Sequence, residues 1–164
     1  MFDEKWDMRF MRMAKMVSEW SKDPSTQCGA VLVDSNKRLI SVGYNGFAQN
    51  VEDTSERYAD RYGTKYKIVI HAEVNAVLFA DSYRLQGSCL YTWPFQSCAA
   101  CAGKMIQVGV KRVVSKEPEH IDLTNANDPN RWERDFVLSK EQFTESGVEM
   151  KFYPKEMFEG QFWC

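Results

Sequence analysis

The chain has 164 residues, of which 44% are hydrophobic and 27% are charged, and its net charge is −2. This balance is typical of a globular protein, and the length suits a single domain, so we expect one domain over residues 1–164. A protein that binds many phosphates usually has a basic surplus, which is missing here, so a nucleic-acid partner is not expected. No apolar run in the sequence approaches the roughly 20 residues that a membrane span needs. The N-terminal residues also lack the hydrophobic core of a signal peptide, so we expect a cytoplasmic protein without a membrane partner.

The first predicted elements are a helix over residues 3–21 and a strand hairpin. Within the helix, apolar residues recur at steps of three and four and form one apolar face: Trp6, Phe10, Met13, Ala14, Val17 and Trp20. Pro24 then ends the helix. The alternating segments 28–34 and 38–44 predict two strands joined by a turn at 35–37.

A long polar segment with scattered aromatic residues follows at 45–67, and we expect a short helix near 55–61 within it. Loops of this length in compact domains are often functional. The rest of the chain alternates between helices and strands, which predicts an α/β protein with a mixed sheet covered on its faces. The predicted helices are 71–83, 98–109 and part of 131–147; the predicted strands are 87–93, 110–115 and 148–154; residues 116–130 form a polar connector.

Two of the five cysteines stand apart from the others because they form a CxxC pair. An odd number of cysteines in a reducing compartment argues against a disulfide framework. Cys98 and Cys101 are three residues apart at the start of a predicted helix, so their side chains share one face, and the helix N-terminus favours thiolate. Cys28 and Cys89 fit strands as small hydrophobic residues, and Cys164 is the last residue.

The paired thiols point to zinc, which prefers nitrogen and sulfur ligands and, in catalytic sites, keeps one position for water. Two thiolates from Cys98 and Cys101 would neutralise Zn²⁺, and His71 at another helix start would supply the third ligand. Glu73, two residues further, would border the same cavity at the first helical turn. It would take a proton from a water whose pKa zinc has lowered from about 15.7 toward about 7, and pass it to the substrate.

The order of these residues matches the H-x-E and C-x-x-C parts of the pattern H-x-E followed by P-C-x-x-C, which is a signature of zinc-dependent base deaminases. Each half alone is weak, but both together, each opening a helix with a strand between them, are specific. Three other interpretations stay open: His71 as a cap or core histidine, a redox pair of Cys98 and Cys101, and a structural zinc with a fourth ligand. His120 is the candidate for that fourth ligand, and we interpret it as a solvated loop residue.

From about residue 6 to residue 153 the chain resembles the deoxycytidylate (dCMP) deaminase family of the cytidine deaminase superfamily. The matching segments are SKDPSTQCGAVLVD, SVGYNGF, VIHAEVNAVLFA and LYTWPFQSCAACAGKMIQVGVKRVV. The resemblance implies a three-layer α/β fold in which helices flank a five-stranded mixed sheet. It also implies one catalytic Zn²⁺ and the hydrolysis of dCMP to dUMP and ammonia, a supply of dUMP for dTMP synthesis.

The resemblance also assigns further residues by position. Asn45 would contact the substrate, and the backbone N–H of Ala72 would bind the carbonyl of the base. Many relatives are homo-hexamers that dCTP activates and dTTP with Mg²⁺ inhibits. The effector site would lie near Lys22, Asp23 and Gly46.

Two departures from the family pattern affect the expected substrate. Ser97 stands where a proline usually precedes the first zinc cysteine, and we expect it to remodel the substrate wall while sparing the zinc. Ser25 and Thr26 stand where some members carry an arginine for the 5′-phosphate, so two hydroxyls would replace a bidentate cation. Acceptance of dCTP or of a nucleoside therefore stays open.

Two further functions also stay open. The first is deamination of tRNA or of another single-stranded nucleic acid. The tRNA adenosine deaminases share the zinc residues but do not usually carry the DPSTQ and GYNG segments, which favours a free nucleotide. The second is a nucleotide-binding module that kept zinc and lost catalysis, although the intact Glu73 speaks against it.

Overall fold

The computed structural model describes residues 3–117 and 131–160, except for the side chains of residues 131 and 132, so His120 and Cys164 lie outside the described residues. Five strands form one mixed sheet in the order β2-β1-β3-β4-β5. The first strand pairs antiparallel with both of its neighbours, and the pairs β3–β4 and β4–β5 are parallel. The strands are β1 (Gly29–Val33), β2 (Leu39–Tyr44), β3 (Cys89–Trp93), β4 (Arg112–Lys116) and β5 (Glu149–Tyr153).

Helices cover both faces of this sheet. They are α1 (Glu4–Ser18), α2 (Ser55–Ala59), α3 (Tyr66–Ile68), α4 (Ala72–Leu78), α5 (Ser82–Leu85), α6 (Ala99–Gln107) and α7 (Arg131–Glu145); a π-helical turn (Arg61–Lys65) precedes α3, and a 3-10 turn (Lys155–Phe158) follows β5. Because side chains alternate along a strand, Val31 and Val33 pack with α1, whereas Ala30 and Leu32 pack with α4 and α6. The predicted three-layer α/β fold with a five-stranded mixed sheet is therefore confirmed.

Two predicted helices are shorter in the structure. The first ends at Ser18 rather than at residue 21, because the Ser18 hydroxyl donates to the Lys15 carbonyl at 2.6 Å and the next residues form tight turns. Trp20 consequently leaves the apolar face, is 52% exposed, and meets the ring of Tyr44 edge-on at 6.1 Å. In the described ranges, no helix is long and apolar enough to cross a membrane.

The second shortened helix is the one predicted over 71–83, which the structure divides into α4 and α5. The division lies just before Asp81, whose extended backbone at the N-cap position of α5 interrupts the helical conformation. Phe79, the C-cap of α4, is 77% exposed, so packing against the core does not hold a continuous helix together at this point. The short helix predicted near 55–61 is present as α2.

A buried carboxylate connects α1 to three strands. Asp7 is 1% exposed and accepts hydrogen bonds from the hydroxyls of Tyr91 and Tyr153, both at 2.7 Å. The Arg112 guanidinium binds both of its oxygens, at 2.7 and 2.8 Å, and also donates to Glu149 at 2.9 Å. Burial alone would raise the pKa of Asp7, but the hydrogen bonds from Arg112 and the two tyrosines hold that pKa below its usual value.

Asp7→Asn is expected to lower the free energy of unfolding at neutral pH by about 3 kcal/mol. Removing one partner of a buried ion pair costs about 3–5 kcal/mol, and the lower end applies because Glu149 still pairs with Arg112. Because folding lowers the pKa of Asp7, its contribution is complete above the unfolded-state value of about 3.9 and is lost as the pH falls through the folded-state value.

Urea unfolding at several pH values measures the difference in the free energy of unfolding between the wild type and Asp7→Asn, which should shrink as the pH falls below about 4. Asp81→Asn is the matched control, since Asp81 is exposed and its side chain makes no cap hydrogen bond. Equal losses of stability in the two variants would show that the Asp7 network does not stabilise the fold.

Candidate metal centre and active site

Two helix N-termini meet at the candidate site and carry the residues singled out by the sequence. His71 lies at the N-cap position of α4 with an extended backbone, and Cys98 lies at the N-cap position of α6 in a similar conformation. Cys101 follows in the first turn of α6. The approach of α4 to the sheet depends on Gly43 of β2, because a Cβ at this position would collide with the backbone of α4 at Ala72 and Ala76.

The three expected zinc ligands come together in the structure. Nδ1 of His71 lies 3.4 Å from Sγ of Cys98 and 3.4 Å from Sγ of Cys101, and the three donor atoms lie within 4.8 Å of one another. A tetrahedral zinc with Zn–S of about 2.3 Å and Zn–N of about 2.1 Å separates its nitrogen and sulfur ligands by about 3.6 Å. The donor set therefore fits zinc in both chemistry and spacing.

Within the described residues, this group has the three protein donors that a catalytic zinc site needs. Among the residues that the structure describes, the cluster contains no fourth His, Cys, Asp or Glu donor. Structural zinc sites have four protein ligands, whereas catalytic sites have three and leave one position for water or substrate. Hydrogen bonds from Cys101 and then from His71 lower the pKa of Cys98, so the pair of thiols provides a thiolate for a metal.

Glu73 lies beside this group in the first turn of α4. Its side chain is buried, at 7% exposure. The hydrogen bond with Cys98 raises the pKa of His71 against the effect of burial, and the negative charge of Glu73 adds to this rise. Burial raises the pKa of Glu73, and the positive charge of His71 acts in the opposite direction. The site thus combines three metal-binding atoms with one carboxyl group that can exchange protons.

Comparison with known families agrees with this geometry. Residues 4–117 match the family model described as the cytidine and deoxycytidylate deaminase zinc-binding region, which spans all three donor residues. The chain belongs to the cytidine and deoxycytidylate deaminase family. The resemblance noted in the sequence is confirmed, and so is the expectation of one Zn²⁺, so the protein is a zinc-dependent deaminase of this family.

Individual relatives agree with this membership of the deaminase family. The chain is 39% identical over 153 residues to an uncharacterized deaminase in the luxG 3′ region of Aliivibrio fischeri, and the match covers 93% of this chain and 97% of that protein. It is 34% identical to the deoxycytidylate deaminase of Homo sapiens, over 74% of this chain and 70% of the human protein. The dCMP deaminase of cyanophage S-TIM5, solved in complex with dCMP and dUMP, shares the fold with a TM-score of 0.68 at 21% identity, over 93% of this chain and all of the phage chain.

Three of the residues expected to bind substrate, Ser25, Thr26 and Asn45, lie together around the carboxylate of Asp23. Asn45 is 6% exposed; its Nδ2 donates to Asp23 at 3.2 Å and to the Thr26 carbonyl at 2.9 Å, and its Oδ1 accepts from the Cys28 N–H at 2.7 Å. The side chain of Asn45 is thus engaged mainly with the protein. Ser25 and Thr26 also line a cavity of about 420 Å³ beside aromatic residues that include Trp93 and Phe95.

The three residues expected to bind an effector differ in their exposure and in their contacts. Asp23 is buried, at 3% exposure, whereas the side chain of Lys22 is 75% exposed and pairs with Asp53 at 3.0 Å. Gly46 exchanges two backbone hydrogen bonds with Ile70, at 3.1 and 2.8 Å. Ser97, at the position of the usual proline, is buried. The side chain of the preceding residue, Gln96, donates to the Phe136 carbonyl of α7 at 2.9 Å.

Sequence reasoning missed two residues near the site. Cys28 packs against the core just before β1, as expected of a small hydrophobic residue, but its proximity to Glu73 was not expected. Burial raises the pKa of the Cys28 thiol to about 12, and the charge of Glu73 adds to the rise. Lys65 is 5% exposed and pairs with Asp23. Because lysines are rarely buried, Lys65 would be expected on the surface. The only sequence signal for a function was the length of the loop that contains it.

Proposed function

We propose that this deaminase hydrolyses dCMP to dUMP and ammonia, and so supplies dUMP for dTMP synthesis. The observation that carries the proposal is the buried carboxyl group of Glu73 beside the three converging donor atoms of His71, Cys98 and Cys101. A pyrimidine nucleotide is favoured because human deoxycytidylate deaminase is a relative and because the DPSTQ and GYNG segments resemble those of enzymes acting on free nucleotides.

In this proposal His71, Cys98 and Cys101 would hold the metal, and Glu73 would move protons. When bound, Zn²⁺ supplies Lewis acidity and lowers the pKa of water to about 7. Glu73 would take one proton of the attacking water and deliver it to the ring nitrogen N3 as the C4–O bond forms. It would then pass the second proton to the amino group, which leaves as ammonia when the C4–N bond breaks. Water is the only other reactant, so dCMP and water give dUMP and ammonia.

The substrate would be oriented by groups around this carboxyl. The N–H of Ala72, the first residue of α4, has no partner within its helix and would donate to the carbonyl of the base. Both amide hydrogens of Asn45 already donate to Asp23 and Thr26. Asn45 would therefore contact the substrate through Oδ1, whose second lone pair would accept a hydrogen bond from a sugar hydroxyl. We propose that Ser25 and Thr26 contact the sugar and phosphate through the cavity that they line.

Regulation and assembly are further parts of the proposal and rest on the family resemblance. They comprise a homo-hexamer, activation by dCTP, and inhibition by dTTP with Mg²⁺ at a site near Lys22, Asp23 and Gly46. The buried position of Asp23 would make it a support for such a site, while the exposed Lys22 would face the phosphates.

An ammonia-release assay on deoxycytidine, dCMP, dCDP, dCTP and a tRNA tests this proposal, with and without dTTP and Mg²⁺. We expect the highest kcat/KM with dCMP, inhibition by dTTP with Mg²⁺, and no product from tRNA. Turnover of dCTP alone would mean that Ser25 and Thr26 select a triphosphate. Turnover of RNA alone would replace the nucleotide proposal by nucleic-acid editing, and the absence of any product would favour a binding module.

A further inference from the structure

A buried lysine from the long loop is joined to the wall of the candidate site. Nζ of Lys65 lies 2.9 and 2.8 Å from the two carboxylate oxygens of Asp23 and 2.5 Å from Oγ of Ser25. The side chains of the ion pair are 6% and 2% exposed. We propose that Lys65 is a positioning residue that fixes the walls of the substrate site, an inference that rests on the proposed function only for the identity of the ligand.

The first route from Lys65 to the site runs through the carboxylate of Asp23. Besides Lys65, this group accepts hydrogen bonds from the N–H and hydroxyl of Ser25, both at 2.9 Å, and from the N–H of Thr26 and Nδ2 of Asn45, both at 3.2 Å. Oδ1 of Asn45 in turn accepts from the N–H of Cys28 at 2.7 Å. The residue after Asn45, Gly46, is hydrogen-bonded to Ile70 directly before His71. One ion pair therefore orders the whole segment that leads into the site.

The second route runs along the backbone from Lys65 to the metal ligand His71. The carbonyl of Lys65 accepts from the N–H of Val69 at 2.9 Å and so shapes the turn that follows α3. The next residue, Ile70, is held against Gly46 by two hydrogen bonds and directly precedes His71. Anchoring the side chain of Lys65 thus also fixes the point at which the chain enters the metal centre.

The contacts of Lys65 favour positioning over direct binding of the substrate phosphate. Its three ammonium protons face three acceptors, two on Asp23 and one on Ser25, and the charge of Asp23 cancels its own. The rings of Tyr58 and Tyr66 lie 6.0 and 5.8 Å from Nζ. A buried pair of this kind adds little net stability, whereas a misplacement of about 1 Å in a substrate site can cost about 10²-fold in rate.

Steady-state kinetics with dCMP, together with zinc content, provides the first test. Lys65→Met is expected to raise KM by about tenfold or more with a smaller change in kcat and an unchanged zinc content. Because this variant leaves the buried charge of Asp23 without a countercharge, the double variant with Asp23→Asn removes both charges; it should recover the wild-type melting temperature but not the wild-type KM. Wild-type KM in a folded double variant would overturn the proposal.

Hydrogen–deuterium exchange provides a second test that needs no substrate. In Lys65→Met, we expect faster exchange at the amides of Thr26, Cys28 and Ile70, with wild-type exchange in the central strands β1 and β3. The control is Lys67→Met, since Lys67 is an exposed lysine two residues further along the same loop. Exchange that matches the control, or that rises throughout the sheet, would overturn the positioning role.

The two tests separate this inference from the proposed function. If the wild-type protein releases no ammonia from dCMP, the proposed function fails, and the exchange comparison still decides whether Lys65 orders the walls of the site. If the wild type is active on dCMP and the exchange of Lys65→Met equals that of Lys67→Met, the function stands and the inference fails.

Discussion

Glu73→Gln is expected to lower kcat for dCMP deamination by about 10²–10⁴-fold while one zinc per chain stays bound. This range is the usual contribution of a positioned general acid–base group. Glutamine has nearly the same shape as glutamate and fits the same buried space, but it cannot take a proton from water. Kinetic assays with zinc analysis on the same preparations measure both quantities.

Glu56→Gln serves as the matched control for this variant. Glu56 also lies in the first turn of a helix, but it is exposed on α2 and is not among the three converging donors. It should keep the wild-type kcat. A Glu73→Gln protein that turned over dCMP at the rate of the control would show that another group moves the protons.

Cys101→Ala is expected to abolish stoichiometric zinc binding and to reduce activity by about 10³-fold or more, since the catalytic water depends on the metal. The loss leaves only Cys98 and His71 as protein donors among the described residues. Zinc sites of this kind also couple metal binding to folding, so the melting temperature should fall and should no longer respond to added zinc. Zinc analysis and thermal unfolding with and without ZnCl₂ check these results.

The control for the metal variant is Cys28→Ala. Cys28 is near the site but is not among the three converging donors, so this variant should keep one zinc per chain. A Cys101→Ala protein that retained stoichiometric zinc, with the melting response of the wild type, would contradict the assignment of Cys101 as a ligand.

The sequence was sufficient to predict features that depend on local patterns. The order of helices and strands follows from hydrophobic periodicity, and the meeting of His71 with Cys98 and Cys101 follows from two short motifs that each open a helix. These motifs predict convergence because their order matches a signature of zinc-dependent base deaminases. The family resemblance supplied the strand count, which periodicity alone did not give.

Features that depend on distant pairing could not be predicted in this way. The ion pair of Lys65 and Asp23 joins residues 42 positions apart, and the contact of Asp7 with Arg112 joins residues 105 positions apart. Nothing in the neighbouring sequence marks these charges as buried. Helix ends were also missed where side chains compete with the backbone, as Ser18 does in α1.

The most direct test of the central claim is anomalous diffraction at the zinc absorption edge, on crystals of protein whose dCMP deaminase activity has been measured. We predict one strong peak per chain, bonded to Nδ1 of His71 and to the Sγ atoms of Cys98 and Cys101, with Zn–N of about 2.1 Å and Zn–S of about 2.3 Å. The absence of zinc density among these three atoms in fully active protein would contradict the account.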